Sequence, residues 1–411
     1  MSTEEAIALG IALTIATLVV LVANLADKQA RAPERQYSLD PRELVTWWVL
    51  AMNIVLMGSG VIILGAAYLS PGSLTDVNKS EAWGVFLISE IIGGLATALL
   101  SPGIRSRIAV MFPRLSADVM PDETSLAWTL QPKMESAPLF PQMLNYYTQD
   151  MLAATAPAGV PTHNHAVPGQ SKRGFDPHSY VHMVAMVGCL YSLGLQTISF
   201  ISAGGLTGLA ESYAGGISAG ELLLNAFPFV VLALVGVGWG TRRNWTQVRQ
   251  RLGLYWPEPK GALIALATVL ILFMYVAALS AIWMALVSKE TYEEQTKASD
   301  ALAESVNSLG LAFLLAATAA IGEEIAYRGA LQPVFGLWPT AVVFTLTHAQ
   351  YTLTPAWLII LGVALAFGWL RDHYGTGTSI MAHFLYNFVP LALSLAAPQE
   401  EVLRLLWTLL R

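Results

Sequence analysis

The sequence predicts an all-α fold, a polytopic transmembrane helical bundle of about ten spans. Two observations carry that reading. Of 411 residues, 55% are apolar and only 12% are charged, against roughly 25% charged in an average soluble chain. The apolar residues also gather into stretches long enough to cross about 30 Å of hydrocarbon as helices. Twenty-two Lys and Arg with 28 Asp and Glu could not clothe a soluble protein of this size. The same numbers argue against a disordered chain, a coiled coil and a disulfide scaffold, and the net charge of −6 gives no reason to expect nucleic acid as a partner. Cys189 is the single cysteine, so no intrachain disulfide can form.

In chain order the expected spans are 6–24, 46–69, 82–100, 180–202, 220–240, 261–287, 308–332, 337–353, 354–371 and 377–397. The first begins after MSTEEAIALG, which lacks the basic n-region of a cleaved signal peptide, and reads as a retained span. Short connections require neighbouring helices to run antiparallel. Basic residues orient the set. With the N-terminus outside, one side collects four Lys and Arg in 28–42, six in 105–173, five in 242–260, and Arg328 and Arg371. Seventeen of 22 then lie on the cytoplasmic side, as the positive-inside rule requires. Both termini are expected outside the cytoplasm of a bacterial-type cell membrane.

The polar stretch 101–179, rich in Pro, Ser, Asp and Thr, is the long cytoplasmic loop. It divides the chain into a three-span region, 1–100, and a seven-span region, 180–411. Four of seven histidines fall in or beside it: His163, His165, His178 and His182. HxH and an i,i+4 pair are possible metal-ligand spacings, but no cysteine or acidic cluster accompanies them, and the plainer reading is a solvated loop. Earlier spans carry few polar groups. Asn53 and Glu90 are the ones singled out, and a lone Glu90 is more simply explained by packing against a polar partner than by catalysis.

The last quarter differs. Glu323, Glu324, Arg328, His348, His383 and Asn387 all lie inside otherwise apolar helices, where ionisable groups are costly and by default mark function. Glu324 and Arg328 are i,i+4, so they share a face and can neutralise one another. Glu323 lies 100° round the helix without that partner, in the setting of a general base. His348 follows the PVFGLWP turn. Glu323 stands 13 residues before Gly336 and His348 12 after it, so an antiparallel hairpin brings them to nearly equal depth, roughly 18 Å from the turn. His383 and Asn387 share one face of the last span. A Glu, two His and an Asn at one depth suggest hydrolysis: Glu323, alone or with His348, would deprotonate water, while His383 and Asn387 would donate to the oxyanion.

Three motifs stand in order: EExxxR (Glu323, Glu324, Arg328), FxxxH (Phe344, His348) and HxxxN (His383, Asn387). Together they resemble the CPBP family of membrane proteases, the CAAX protease and bacteriocin-processing or Abi family, whose eukaryotic relatives are type II CAAX prenyl endopeptidases. The resemblance covers roughly 305–390. It implies that Glu323 and His348 activate water, that His383 and Asn387 stabilise the oxyanion, and that Glu324 and Arg328 support them. The implied activity is an endopeptidase acting on a membrane-associated protein or peptide in the lipid bilayer, with no obligatory cofactor. A variant has zinc held by Glu323, His348 and His383, although no HExxH is present. The alternative is a non-proteolytic membrane scaffold or immunity protein that uses the same polar network structurally, and a proton-relaying transporter is a third reading. Walker A, GxSxG and dinucleotide fingerprints are absent.

Overall fold

The computed structural model describes residues 3–31, 39–69, 78–113, 174–348, 354 and 356–396. Among them the chain is helical, and nine helices are long and apolar enough to span a membrane. They are α1 (Thr3–Arg31), α2 (Pro41–Leu69), α3 (Lys79–Ala98), α5 (Tyr180–Ser202), α7 (Ala219–Gly236), α9 (Pro259–Leu286), α11 (Leu309–Phe335), α13 (Ala356–Tyr374) and α14 (Thr376–Ala396). Between them lie α4 (Pro102–Ile108), α6 (Gly205–Tyr213), α8 (Trp245–Leu252), α10 (Lys289–Ser305) and α12 (Leu337–Leu346). The protein is an integral membrane helical bundle.

The predicted span 337–353 requires correction. Its helix, α12, runs only ten residues, about 15 Å, or half the hydrocarbon core. It stops where the side chains change: Thr347 Oγ1 donates to the Phe344 carbonyl at 2.7 Å, and His348 Nδ1 lies 2.9 Å from the same oxygen. Side chains thus satisfy a carbonyl that a continuing helix would have bonded. The rest of that predicted span, 349–353, lies outside the described residues. The polar helix α10, which packs against α6, was not anticipated, because the hydropathy pattern reads its residues as a connector.

Interhelical polar bonds tie the first helices together. Asn53 on α2 donates to Thr97 Oγ1 on α3 at 2.7 Å and accepts from the Tyr191 hydroxyl on α5 at 2.5 Å. Asn24 on α1 donates to the Val235 carbonyl on α7 at 3.0 Å. Helix α5 packs against α1 and α3 as well as α6 and α12. Of the four loop histidines, His163 and His165 lie outside the described residues. His182 accepts from the Asp176 amide at 3.0 Å and so closes the turn before α5, while His178 is exposed. Glu90 is half-buried on α3 with no polar partner among the described residues. Arg105 is 1% exposed and donates to the carbonyls of Leu99, Leu100 and Pro177. Burial pulls its guanidinium below the usual arginine range.

Small residues set the packing that holds the site. Ala312, Ala316 and Ala320 form an i,i+4 stripe with no exposed surface, and α11 lies close to α7 and α14 along it. The start of α14 is fixed by the 252–255 turn: Thr376 donates to the carbonyls of Leu252 and Gly253 from its hydroxyl and its amide. A β-carbon on Gly377 would run into the Tyr255 carbonyl. Gly377→Ala should therefore cost more than ~2 kcal/mol, read as a lower thermal midpoint in detergent. Gly310→Ala, where a β-carbon meets open space, should not lower it. Equal midpoints would show that the turn does not fix α14.

Candidate active site

Helix α11 changes character at the EExxxR segment. Residues Glu324–Leu331 wind as a π-helix, a form that is rare and concentrated at functional sites. Its local cause is Pro333, two residues further on, which has no N–H to return to the preceding turn. The carbonyl of Gly329, which residue 333 would bond in an α-helix, and that of Ala330 accept from Arg251, at 2.9 and 3.2 Å. An arginine on α8 thus supplies a donor where proline has none.

Glu324 is fully buried and tied on all sides. Its Oε1 lies 3.0 Å from Arg328 Nη1 and 2.9 Å from His383 Nδ1. Its Oε2 accepts a short hydrogen bond from the Ser379 hydroxyl. Arg328, 1% exposed, donates to the Ala364 carbonyl at 3.3 Å and sits over the Phe344 ring, 4.2 Å from its centroid. One carboxylate therefore joins α11 to α14, and its arginine reaches α12 and α13.

Glu323 has a different environment. Its side chain is 22% exposed, and its carboxylate lies 3.9 Å from His383 Nε2. It accepts no hydrogen bond from a described residue. His383 stands between the two acids, stacked on Phe367 with centroids 4.9 Å apart. With Nδ1 committed to Glu324, Nε2 is the nitrogen presented to Glu323.

His348 ends α12 beside Phe344, ring centroids 4.8 Å apart. Tyr327 sets the depth of this helix against the π-segment: its ring meets Phe344 at 5.1 Å, and its hydroxyl donates to Thr347 Oγ1 at 3.4 Å. His348 is thus one turn past Phe344 and Glu323 one turn before Tyr327, without direct contact between them. Asn387 is half-buried one turn beyond His383, and its amide bonds to no described residue. Among the described residues no three His, Cys, Asp or Glu side chains are gathered to hold a metal ion. Ser379 is absent from the sequence-derived set. The signal for it was present, since 379, 383 and 387 follow the same four-residue stride along one face.

The two glutamates should separate in a stability measurement. Glu324→Gln leaves Arg328 as an uncompensated buried charge and should cost roughly 3–5 kcal/mol. Glu323→Gln should stay within about 0.5 kcal/mol of the parent. Thermal unfolding in detergent checks both, and an equal loss in the two variants would refute the division.

Residues 305–389, about a fifth of the chain, match the family model described as Rce1-like, type II CAAX prenyl endopeptidase. No curated protein matches the chain, and no solved structure does. The matched stretch contains α11 to most of α14 and therefore all six motif residues, so this integral membrane protein carries a segment similar to the Rce1-like membrane endopeptidases of the CPBP kind.

Proposed function

We propose that the protein is an intramembrane endopeptidase that hydrolyses a peptide bond of a membrane-associated protein or peptide with a water activated by Glu323. One observation carries this reading: among the described residues Glu323 is a carboxylate without a hydrogen-bonded partner, next to a histidine whose other nitrogen is fixed by a second, fully paired glutamate. A group held ready in an apolar setting is suited to take a proton, whereas a purely structural acid is consumed by its partners, as Glu324 is. In the proposed step Glu323 removes a proton from water, the oxygen adds to the scissile carbonyl, and the proton passes to the leaving amine. His348 stands at the depth from which it can share the water. Asn387 has donors to spare for the developing oxyanion, and His383 can donate from Nε2 when doubly protonated. Arg328 and Ser379 act through Glu324, holding the His383 ring.

Nucleic acid has no part in this reading, and no cofactor is needed for the step. In the zinc variant Glu323, His348 and His383 would converge on one ion, which requires His348 to approach the other two. The alternative, a non-proteolytic scaffold, draws support from the closed Glu324–Arg328–His383–Ser379 cluster, which alone would tie the helices together. It gives no purpose to Glu323 and Asn387, which hydrogen-bond to no described residue.

Mapping new protein C-termini in membranes that contain the parent or the Glu323→Gln protein tests the proposal. Cleavage by Glu323→Gln or His348→Ala should fall at least ~10²-fold, and by Asn387→Ala about 10²–10³-fold. Undiminished cleavage by Glu323→Gln overturns the protease reading in favour of the scaffold. Cleavage that stops on chelation and returns with zinc replaces free-water activation by the zinc variant.

A further inference from the structure

Glu90 lies about 17 Å from the Lys79 end of α3 and about 12 Å from the Ala98 end, on a helix about 30 Å long. That is near the middle of the hydrocarbon, where an ionisable group is costly and calls for a partner. The bundle supplies none. Val85, Ser89, Ile92, Gly93 and Ala96 lie on the buried face of α3, which packs against α2 and α5. Glu90 stands to one side of that face, half-buried and bonded to no described residue.

Its neighbours on the outer side form a seam. At 100° per residue, Trp83, Leu87, Glu90 and Gly94 fall inside an arc of about 60°. Trp83, Leu87 and Gly94 are exposed. Successive spacings of four, three and four residues are those of helices that lie side by side. Gly94 comes one turn after Glu90, and a β-carbon there meets nothing within 4 Å. Bare backbone next to the carboxyl group lets another helix approach closely.

We infer that this face of α3 is the seam of a homodimer, in which Glu90 hydrogen-bonds to Glu90 of the partner subunit. Lipid tails offer neither donor nor acceptor, so they leave the group unsatisfied. Copies of one chain enter the bilayer in one orientation. A two-fold axis along the membrane normal therefore brings each seam residue to its own counterpart at equal depth. A carboxyl group suits that position because it is complementary to itself: with a proton it both donates and accepts. Lysine or arginine there would meet only its own charge. Trp83 and Leu87 supply apolar contact on one side of the pair, and Gly94 the close approach on the other. The seam contains no residue of the Glu323 cluster, and the inference does not depend on the peptidase reading.

The test uses two batches of the full-length protein, labelled at the N-terminus with a donor or an acceptor dye and mixed in phosphatidylcholine vesicles. Energy transfer, followed as added lipid dilutes the chains, gives the midpoint of dissociation. The parent should show transfer that disappears on dilution, and Glu90→Leu should dissociate with about tenfold less lipid. Leucine suits hydrocarbon, so this variant should fold as the parent does. Glu90→Gln, whose amide also donates and accepts, should dissociate where the parent does. Gly94→Leu should weaken association, whereas Gly10→Leu on α1, where a β-carbon also meets open space, should not. Absence of transfer in the parent at every dilution overturns the inference and leaves Glu90 to a helix of a different protein. Equal midpoints for the parent and Glu90→Leu overturn it too, since association would then run through another face. So does a Glu90→Gln protein that dissociates as readily as Glu90→Leu. The Glu90 variants decide the matter even if Gly94→Leu fails to fold.

Discussion

The ion pair between Glu324 and Arg328 organises the C-terminal bundle. Two opposite charges buried in an apolar protein are tolerated only when their remaining lone pairs and protons are satisfied. Here the partners come from three other helices. Ser379 and His383 come from α14, the Ala364 carbonyl from α13, and the face of Phe344 from α12. The angular position of α14, and with it the direction in which His383 and Asn387 point, follows from that requirement. The adjacent glutamate, one residue earlier in the chain, is left outside the cluster by the same geometry.

Much of this was legible in the sequence because it rests on spacing. The Glu324–Arg328 pairing, the separate direction of Glu323 and the shared face of His383 and Asn387 all follow from a four-residue stride or a 100° step. The equal depth of the two arms about Gly336 follows from counting. Three features escaped for physical reasons. Hydropathy cannot distinguish a helix that ends halfway from one that continues, because the residues after His348 remain moderately apolar. The π-segment is met by Arg251, about eighty positions away, which no local pattern announces. The link from His383 Nδ1 to Glu324, rather than to Glu323, is set by how α14 rotates against α11, and no local pattern encodes that.

The N-terminal helices use a different chemistry for the same purpose. Neutral amides and hydroxyls, Asn24, Asn53, Thr97 and Tyr191, join α1, α2, α3, α5 and α7, as is common between membrane helices. Charged groups there gather at one end, where Asp27 accepts from Ser179 Oγ and the Tyr180 amide. The C-terminal bundle thus buries its ion pair among the helices, whereas the N-terminal helices are tied along their length by neutral groups and by Asp27 at one end.

The unfinished helix α12 has one more consequence. Irregular backbone at membrane depth is tolerated only when it is enclosed by protein or lines a water-filled space. Where α12 ends, the Phe344 carbonyl is met by the side chains of Thr347 and His348 and not by the amide of a continuing helix. The break is thus itself a demand for enclosure or hydration, made on the same hairpin that carries Glu323. A continuous helix of the same composition would keep this region dry.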